Sequence, residues 1–362
     1  MRKRNLNTVL AVLITVMLVV DFGIFKKIVT DSVPQADYEN NSGTESEQTL
    51  TPEQKAERDR LYDIEQNYTD ISALSSDTKC GELILVNKAH EFDFNAQTKL
   101  FEIEYPESIY QSKTDSYFVK NINISLNKTA ILALNELLDD FYAETGHDDI
   151  IIVDAFRSFE TQKIVLDAKI AEYGEEKGRL IATEPGASEH HTGYAIDLSL
   201  YIDGIQQDYD GTGDYEWITE NCYKYGFVIR YPEGKTNVTG IDYEPWHLRY
   251  VGKAHAQYMT ENNLCLEEYI QKLSYYPINS SRLSVNTFDN KSYEIYYCPV
   301  NSDTSYIKVP KNYPYTLSGD NCGGIIVTVD KTAVNTESAG NTGNVTESSE
   351  NPEAVTGENT GE

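Results

Sequence analysis

The sequence predicts an α+β fold, with a central antiparallel sheet and flanking helices, followed by a small C-terminal β-rich module. Two stretches predict the sheet. Residues 195–200 read Ala-Ile-Asp-Leu-Ser-Leu and residues 246–250 read Trp-His-Leu-Arg-Tyr, so apolar and polar side chains alternate as they do in half-buried strands. A third stretch predicts the module, because residues 283–329 alternate Tyr, Ile, Val and Thr between turn-forming Asn, Asp, Gly and Pro.

The remaining elements follow from local patterns in chain order. Apolar residues recur at helical spacing over residues 131–141, with Ser125 or Asn127 as the N-cap and Gly146 as the stop. The apolar run at residues 150–153 predicts a buried strand. We also predict strands at residues 83–86, 92–94 and 227–231, and helices at residues 160–173, 215–225, 253–263 and 266–273.

The start of the chain predicts a membrane anchor or a signal peptide within residues 1–30. A basic Met-Arg-Lys-Arg start precedes an apolar run from Thr8 to Val20, which is the order found in such segments. No small-x-small cleavage site follows at the right distance, so the pattern favours an uncleaved anchor over a segment cleaved near residues 30–36. The positive start stays in the cytoplasm, and we expect a single-pass protein whose remainder is extracytoplasmic, or secreted after cleavage.

Composition divides the rest of the chain. Residues 31–78 predict a polar extracytoplasmic spacer with one short helix from Pro52 to Gln66. Residues 79–265 form the main predicted domain and residues 266–330 the β-rich module, whose tyrosines suit either an ordinary exposed β-face or glycan binding. Residues 331–362 predict a disordered acidic tail. The formal net charge of -28 argues against nucleic acid as a partner.

Cysteine spacing does not indicate a zinc finger, because no CxxC pair is present. Disulfides are permitted outside the membrane, and the odd count leaves at least one thiol unpaired or intermolecular. We predict a Cys298–Cys322 bridge, since both residues lie in the C-terminal module. The full set is Cys80, Cys222, Cys265, Cys298 and Cys322. Nothing in the sequence indicates the oligomeric state.

Two short segments, residues 188–197 and 244–250, concentrate side chains that can bind a metal ion. His190, Asp197 and His247 offer two imidazoles and a carboxylate, three ligands that zinc accepts while a fourth position stays open for water. Strand alternation places Asp197 on the face opposite the core and His247 on the face opposite Leu248. Both side chains therefore point into one shared space.

The neighbours of these residues have their own expected roles. A single histidine is more often structural than ligating, but three of the six histidines in the chain fall in these two segments. An extended backbone points His191 to the side opposite His190, which predicts a supporting or surface position. Glu244 lies three residues before His247 and is a candidate general base.

The motif Ser188-x-His190-x-x-Gly193-x-Ala195-x-Asp197, followed by Glu244-x-x-His247, resembles the signature of the VanY-type D-alanyl-D-alanine carboxypeptidases. These are zinc peptidases related to VanX and to the hedgehog domain. The segment from Asp154 to Gln162 is similar to the Arg-Ser-x-x-x-Gln segment of that family. The resemblance covers about residues 80–265 and implies a hedgehog/DD-peptidase-like fold for the predicted domain.

The resemblance also implies an activity, which is removal of the terminal D-alanine from peptidoglycan stem peptides ending in D-Ala-D-Ala at the outer face of a bacterial membrane. It implies a zinc peptidase rather than a serine peptidase. The implied roles are Zn²⁺ binding by His190, Asp197 and His247, catalysis by Glu244 and Arg157, and substrate contacts by Arg157, Gln162 and Ser188.

Two alternatives remain open from the sequence. A related peptidoglycan endopeptidase of the L-alanyl-D-glutamate type shares the ligand pattern and differs in pocket shape. A non-catalytic, membrane-tethered wall-binding protein could keep zinc for stability alone. Glu244 argues against the second alternative, because a structural zinc site does not need that carboxylate. The sequence does not separate a role in wall maturation from one in antibiotic resistance.

Overall fold

The computed structural model describes residues 50–333 and has the α+β architecture that the sequence predicts. From Pro52 onward these residues belong to one compact unit. The predicted membrane anchor and the predicted acidic tail beyond residue 333 lie outside the described residues. Among residues 50–333, no helix combines the length and the apolar character needed to span a bilayer.

The secondary structure matches most of the predicted elements. The helices are α1 (Pro52–Asn67), α2 (Ile109–Ser112), α3 (Lys128–Thr145), α4 (Phe159–Tyr173), α5 (Glu175–Ile181), α6 (Glu216–Asn221), α7 (Thr236–Thr239), α8 (Lys253–Glu261) and α9 (Leu266–Leu273). The strands are β1 (Tyr68–Leu74), β2 (Glu107–Ser108), β3 (Phe118–Val119), β4 (Ser125–Leu126), β5 (Ile150–Asp154), β6 (Ala195–Ile202), β7 (Ile205–Asp208), β8 (Phe227–Ile229), β9 (His247–Tyr250), β10 (Leu283–Asn286), β11 (Ser292–Pro299), β12 (Thr304–Pro310), β13 (Tyr315–Gly319) and β14 (Gly324–Asp330).

The central sheet has the strand order β3-β5-β6-β9-β8, and β7 also pairs with β6. The pairs β5–β6, β6–β9 and β8–β9 are antiparallel, as predicted, whereas the short edge pair β3–β5 is parallel. The register places Asp197 of β6 directly opposite His247 of β9. A register shift in β5 between Ile152 and Asp154 accompanies the pairing of Asp154 with Asp197. Three strands thus bring polar groups to one place on the sheet.

The main core lies between α3 and the central sheet, on the side predicted by strand alternation. Gly146 ends α3 in the left-handed conformation with a φ of 78°, as expected for a glycine C-cap. Asn127 precedes the helix, and its side chain donates to the carbonyl of Thr192 instead of capping α3. The core includes Ile131, Leu134, Leu138 and Phe141 from α3 and Ile196, Leu198 and Leu200 from β6.

Three predicted elements differ from the structure. Residues 83–86 are buried but do not form a strand, because side chains take up several of their backbone groups. The N–H of Leu83 bonds to Ser318 Oγ, and the carbonyl of Ile84 accepts from Arg249. Residues 92–94 are also non-strand, and the helix predicted over residues 215–225 is shortened to α6 with a 3₁₀ turn on each side.

The C-terminal module contains an antiparallel sheet of order β10-β11-β14-β13. Its remaining strand, β12, pairs antiparallel with β1 over the whole of residues 68–74. The helix predicted within the spacer, from Pro52 to Gln66, is present as α1, but residues 52–78 do not form a free spacer. Ile64, Tyr68 and Ala73 are buried in the core of the module. Their apolar side chains are too widely spaced in the sequence to signal this packing.

The predicted Cys298–Cys322 disulfide is wrong, since both residues are free cysteines. Cys298 lies in β11 opposite Ile325 and is buried in the core of the module. Cys322 follows β13 and is exposed. The two cysteines belong to the same module, but the Cys298 thiol faces the core and the Cys322 thiol faces solvent, so they do not form a bridge.

The packing of β1 gives a testable difference between two tyrosines of the predicted spacer. Tyr68 is buried, contacts Tyr296 edge-on and accepts a 2.6 Å hydrogen bond from Arg282. We expect Tyr68→Ala to lower the free energy of unfolding by about 3 kcal/mol, as for other buried aromatic side chains. Tyr62→Ala, at an exposed position, should change it by less than about 0.5 kcal/mol. Urea denaturation measures both, and equal values would show that β1 does not stabilise the module.

Candidate metal and catalytic site

The site begins with a cross-strand pair, Asp197 on β6 and His247 on β9. Because the two residues lie directly opposite each other, their side chains leave the sheet on the same face. His247 Nδ1 lies 2.9 Å from Asp197 Oδ1. Burial alone would raise the pKa of Asp197, but the imidazoles of His190 and His247 hold it well below its usual value. The carboxylate is therefore ionised and able to bind a cation.

His190 reaches the pair from the 3₁₀ turn Glu189–Thr192, which precedes β6. Gly193 ends this turn in the left-handed conformation, and a Cβ there would lie 2.7 Å from Asn127 Oδ1, so the position requires glycine. His190 Nδ1 is 2.6 Å from the carbonyl oxygen of Ala155. A carbonyl only accepts, so Nδ1 carries a proton, and in the neutral ring Nε2 then keeps its lone pair. That Nε2 lies 3.3 Å from Asp197 Oδ2.

His191 has no nitrogen left for a metal ion. Its Nδ1 is 2.7 Å from the carbonyl oxygen of Arg157, and its Nε2 accepts from the N–H of Gly186 at 3.0 Å. Burial lowers the pKa of His191, which favours the neutral ring that these two bonds require. The ring is buried against Phe92 and Phe94. The structure thus gives His191 a supporting position and excludes the surface position.

The three predicted ligand residues fit a metal ion. One donor atom from each of His190, Asp197 and His247 lies within 4.8 Å of the others. Bonds of about 2.0–2.2 Å in a tetrahedral arrangement separate the donors by about 3.3–3.6 Å. His190 Nε2 lies 3.3 Å from Asp197 Oδ2, and His247 Nδ1 lies 2.9 Å from the other oxygen, Oδ1; both separations are close to that range. The group can thus offer three donor atoms to one metal ion.

Glu244 lies beside this group on the segment that leads into β9. Its Oε2 is 3.9 Å from His247 Nδ1, and its side chain is 23% exposed, more than that of His190 or His247. The N–H of Glu244 bonds to the carbonyl of Tyr231, which fixes the backbone. Burial raises the pKa of Glu244 to about 7. A carboxylate with that pKa can both accept and return a proton near neutral pH.

Arg157 completes the open side of the site. Its guanidinium donates to Asp154 Oδ2 at 2.9 Å, to Gln162 Oε1 at 3.1 Å and to Asp197 Oδ2 at 3.3 Å. Gln162 is fully buried, and its amide nitrogen donates to the carbonyl of Thr183. In this structure Gln162 supports Arg157 from behind, and its substrate contact stays a prediction.

Ser188 and Glu189, the two residues before His190, are both buried. Ser188 is buried immediately before the 3₁₀ turn, and its substrate contact stays a prediction. Sequence reasoning passed over Glu189, which is buried between Arg230 and Arg249 at 2.6 and 2.8 Å. Burial would raise the pKa of Glu189, but these guanidiniums hold it well below its usual range. The sequence feature that could have drawn attention to Glu189 is its charge and its position directly before His190.

The fold and the site define a class, the peptidases whose active site is built on two histidines and an aspartate with a nearby glutamate. Comparisons with known proteins agree with this class. A sequence model of the VanY family, described as D-alanyl-D-alanine carboxypeptidase, matches residues 123–253. That range includes all seven predicted site residues.

Two relatives and one solved structure are similar to this chain. A D-alanyl-D-alanine carboxypeptidase of Enterococcus faecium is 37% identical over 224 residues, which are 62% of this chain and 68% of the relative. The putative carboxypeptidase YodJ of Bacillus subtilis (strain 168) is 36% identical over 193 residues, 53% of this chain and 67% of the relative. The vancomycin resistance D,D-dipeptidase VanXYg, solved with a D-Ala-D-Ala phosphinate analogue, aligns at 31% identity and a TM-score of 0.63, covering 73% of this chain and 99% of its own.

The chain belongs to the VanY family of D-alanyl-D-alanine carboxypeptidases. It is accordingly an enzyme of the peptidase class.

Proposed function

We propose that this chain is a zinc-dependent carboxypeptidase that removes the terminal D-alanine from peptidoglycan stem peptides ending in D-Ala-D-Ala. The observation that carries the proposal is the grouping of His190, Asp197 and His247 within 4.8 Å, beside Glu244. Two imidazoles and one carboxylate suit zinc better than magnesium or calcium, which prefer oxygen donors. Family membership and the names of the relatives support the choice of substrate.

The proposed metal ligands are His190 through Nε2, Asp197 through its carboxylate and His247 through Nδ1. A zinc ion bound there would lower the pKa of a water molecule to about 7 and would polarise the scissile carbonyl. The protein contributes the orientation of each donor. The carbonyl of Ala155 fixes the ring of His190, and the β6–β9 pairing fixes Asp197 against His247.

Glu244 acts as the general base and then as the general acid. Its carboxylate takes a proton from the attacking water and passes that proton to the amine of the departing D-alanine, so one group serves both halves of the hydrolysis. Burial raises the pKa of Glu244, which favours acceptance of the proton from the attacking water. The 23% exposure of the side chain leaves it open to water and substrate.

Arg157 stabilises negative charge on the substrate. Its Nε and Nη1 are committed to Asp154 and Gln162, which hold the guanidinium plane in place. The Nη2 group lies 2.8 Å from Asp154 Oδ2 and 3.3 Å from Asp197 Oδ2 and is the part of Arg157 nearest the metal ligands. The guanidinium, fixed as a cation beside the ligands, stabilises the carbonyl oxygen as that atom becomes negative during attack.

The proposed location is the outer face of a bacterial membrane, with the N-terminal segment as the anchor, or outside the cell if that segment is removed. This part of the proposal rests on the sequence of residues 1–30. The substrate class supports it, because peptidoglycan lies outside the membrane.

Digestion of defined muropeptides tests the proposed reaction. The full chain is incubated with zinc and pentapeptide muropeptides ending in D-Ala-D-Ala, and the products are identified by mass spectrometry. We expect release of single D-alanine and a tetrapeptide product. Cleavage between L-alanine and D-glutamate would support the endopeptidase alternative. Binding to peptidoglycan with no product from the zinc-loaded protein would support the wall-binding alternative, and release of D-Ala-D-Ala dipeptide would make the chain a dipeptidase.

Substitution of Arg157 tests its role. We expect Arg157→Lys to lower kcat on the same substrate by about 10²–10³-fold, the loss typical for one well-placed oxyanion donor, because lysine lacks the planar fork that Asp154 and Gln162 hold. Arg179→Lys is the matched control, since Arg179 forms an exposed ion pair with Glu175. Steady-state kinetics of both variants provides the measurement. An unchanged kcat for Arg157→Lys would remove Arg157 from the reaction.

A further inference from the structure

A buried charged cluster lies directly behind the metal-binding group. Glu189 is the centre of the cluster, and its side chain has no exposed surface. Its Oε1 accepts from Arg230 Nε at 2.6 Å and from Arg249 Nη1 at 2.8 Å. Arg230 also forms a two-bond pair with Glu267. Two carboxylates and two guanidiniums thus balance in charge, and a buried Glu189 can remain ionised.

The second carboxylate oxygen of Glu189 is unused by this cluster. Oε2 is buried and has no hydrogen-bond partner among the described residues. His247 Nε2 is in the same condition, and the two atoms are 3.7 Å apart. A buried acceptor and a buried ring nitrogen without partners are each unfavourable. Here they face each other across a gap slightly longer than a hydrogen bond.

Metal binding by His247 would explain why Glu189 Oε2 and His247 Nε2 face each other. If Nδ1 of a neutral imidazole binds a metal, the ring proton must be on Nε2. Nε2–H is then a donor, and Glu189 Oε2 is the acceptor that lies opposite it. Metal-bound histidines commonly donate their second N–H to a carboxylate, which fixes the ring and strengthens it as a ligand.

We propose that Glu189 is a positioning residue for the metal centre, which accepts the Nε2–H of His247 and is itself held by Arg230 and Arg249. This inference rests on the proposed function, because it needs a metal on Nδ1 of His247. Glu189 would thus act on the metal site indirectly, by orienting the ligand His247 on β9. His190 obtains the matching support from the carbonyl of Ala155.

Metal affinity distinguishes this role from a purely structural one. We compare Glu189→Gln with Glu267→Gln in the full chain, because Glu267 pairs with the same Arg230 but forms no contact with His247 among the interactions described. The zinc dissociation constant is measured by competition with a chromophoric chelator, and the metal-free melting temperature is recorded for each variant. We expect zinc binding to weaken about 10–100-fold in Glu189→Gln and by less than about threefold in Glu267→Gln.

Several results would overturn the inference. Zinc binding by a folded Glu189→Gln variant that equals the parent would do so, and so would equal weakening in both variants. If Glu189→Gln does not fold, a crystal structure of the zinc-loaded parent decides the question. We expect the Glu189 Oε2 to His247 Nε2 distance to shorten to hydrogen-bonding range, and a distance still near 3.7 Å would contradict the role. A parent protein that binds no zinc would instead contradict the proposed function itself.

Discussion

Glu244→Gln is expected to retain zinc and to lose nearly all turnover. The amide keeps the shape of the carboxylate but cannot accept the proton of the attacking water. A general base of this kind contributes about 10²–10⁴-fold, so kcat on a peptide ending in D-Ala-D-Ala should fall by that factor. Glu244 is not among the three ligand residues, and for that reason the zinc content should stay at the parent level. Steady-state kinetics and metal analysis of the same sample measure both quantities.

The control for this prediction is Glu233→Gln. Glu233 is an exposed glutamate in the loop before α7, so the substitution removes the same charge from the same region without touching the ligands. Its turnover should match that of the parent. A Glu244→Gln variant that works at the parent rate would show that another group accepts the proton, and loss of zinc in that variant would show that Glu244 also supports the metal.

Removal of the metal is expected to abolish hydrolysis, and zinc is expected to restore it. Without the ion, Glu244 and Arg157 remain, but the attacking water and the scissile carbonyl lose the activation that zinc supplies. Activity after dialysis against a chelator should fall below detection and should return when zinc is added. Asp197→Asn should reproduce the loss, because an amide is a much weaker ligand than a carboxylate.

Magnesium serves as the control for the return of activity, since a site with two nitrogen donors holds it poorly. Full activity in the continued presence of the chelator would remove the metal from the mechanism. Recovery with magnesium as complete as with zinc would show that the donor set does not select the ion as proposed.

Strand periodicity predicted that Asp197 and His247 face one shared space. A period of two places Asp197 opposite the core, and the same period places His247 beside Arg249 on the polar face. The structure adds the register, in which Asp197 and His247 are direct partners. No sequence pattern sets that register, because it depends on which residues pair across strands that lie fifty positions apart.

Sequence spacing alone also does not decide which of His190 and His191 can bind the metal. Both are histidines in one short turn, and backbone hydrogen bonds separate them. The carbonyl of Ala155 leaves a nitrogen of His190 free, whereas Arg157 and Gly186 occupy both nitrogens of His191. Such bonds come from segments about 35 residues away as well as from Gly186, shortly before the turn. Spacing within the motif therefore cannot report them.

The elements that sequence reasoning missed share a physical cause, which is long-range pairing of weakly apolar segments. Strand β1 pairs with β12 across more than 200 residues, and its burial depends on a few side chains such as Tyr68. Glu189 was passed over for a related reason. A buried glutamate is stable only when distant arginines, here Arg230 and Arg249, approach it.

Anomalous X-ray diffraction at the zinc edge, from crystals of the protein grown with zinc, tests the central claim most directly. We predict one strong peak within about 2.0–2.2 Å of His190 Nε2, a carboxylate oxygen of Asp197 and His247 Nδ1, with Glu244 nearby but not bound to the ion. A peak at another place, or none between these three side chains, would contradict the account.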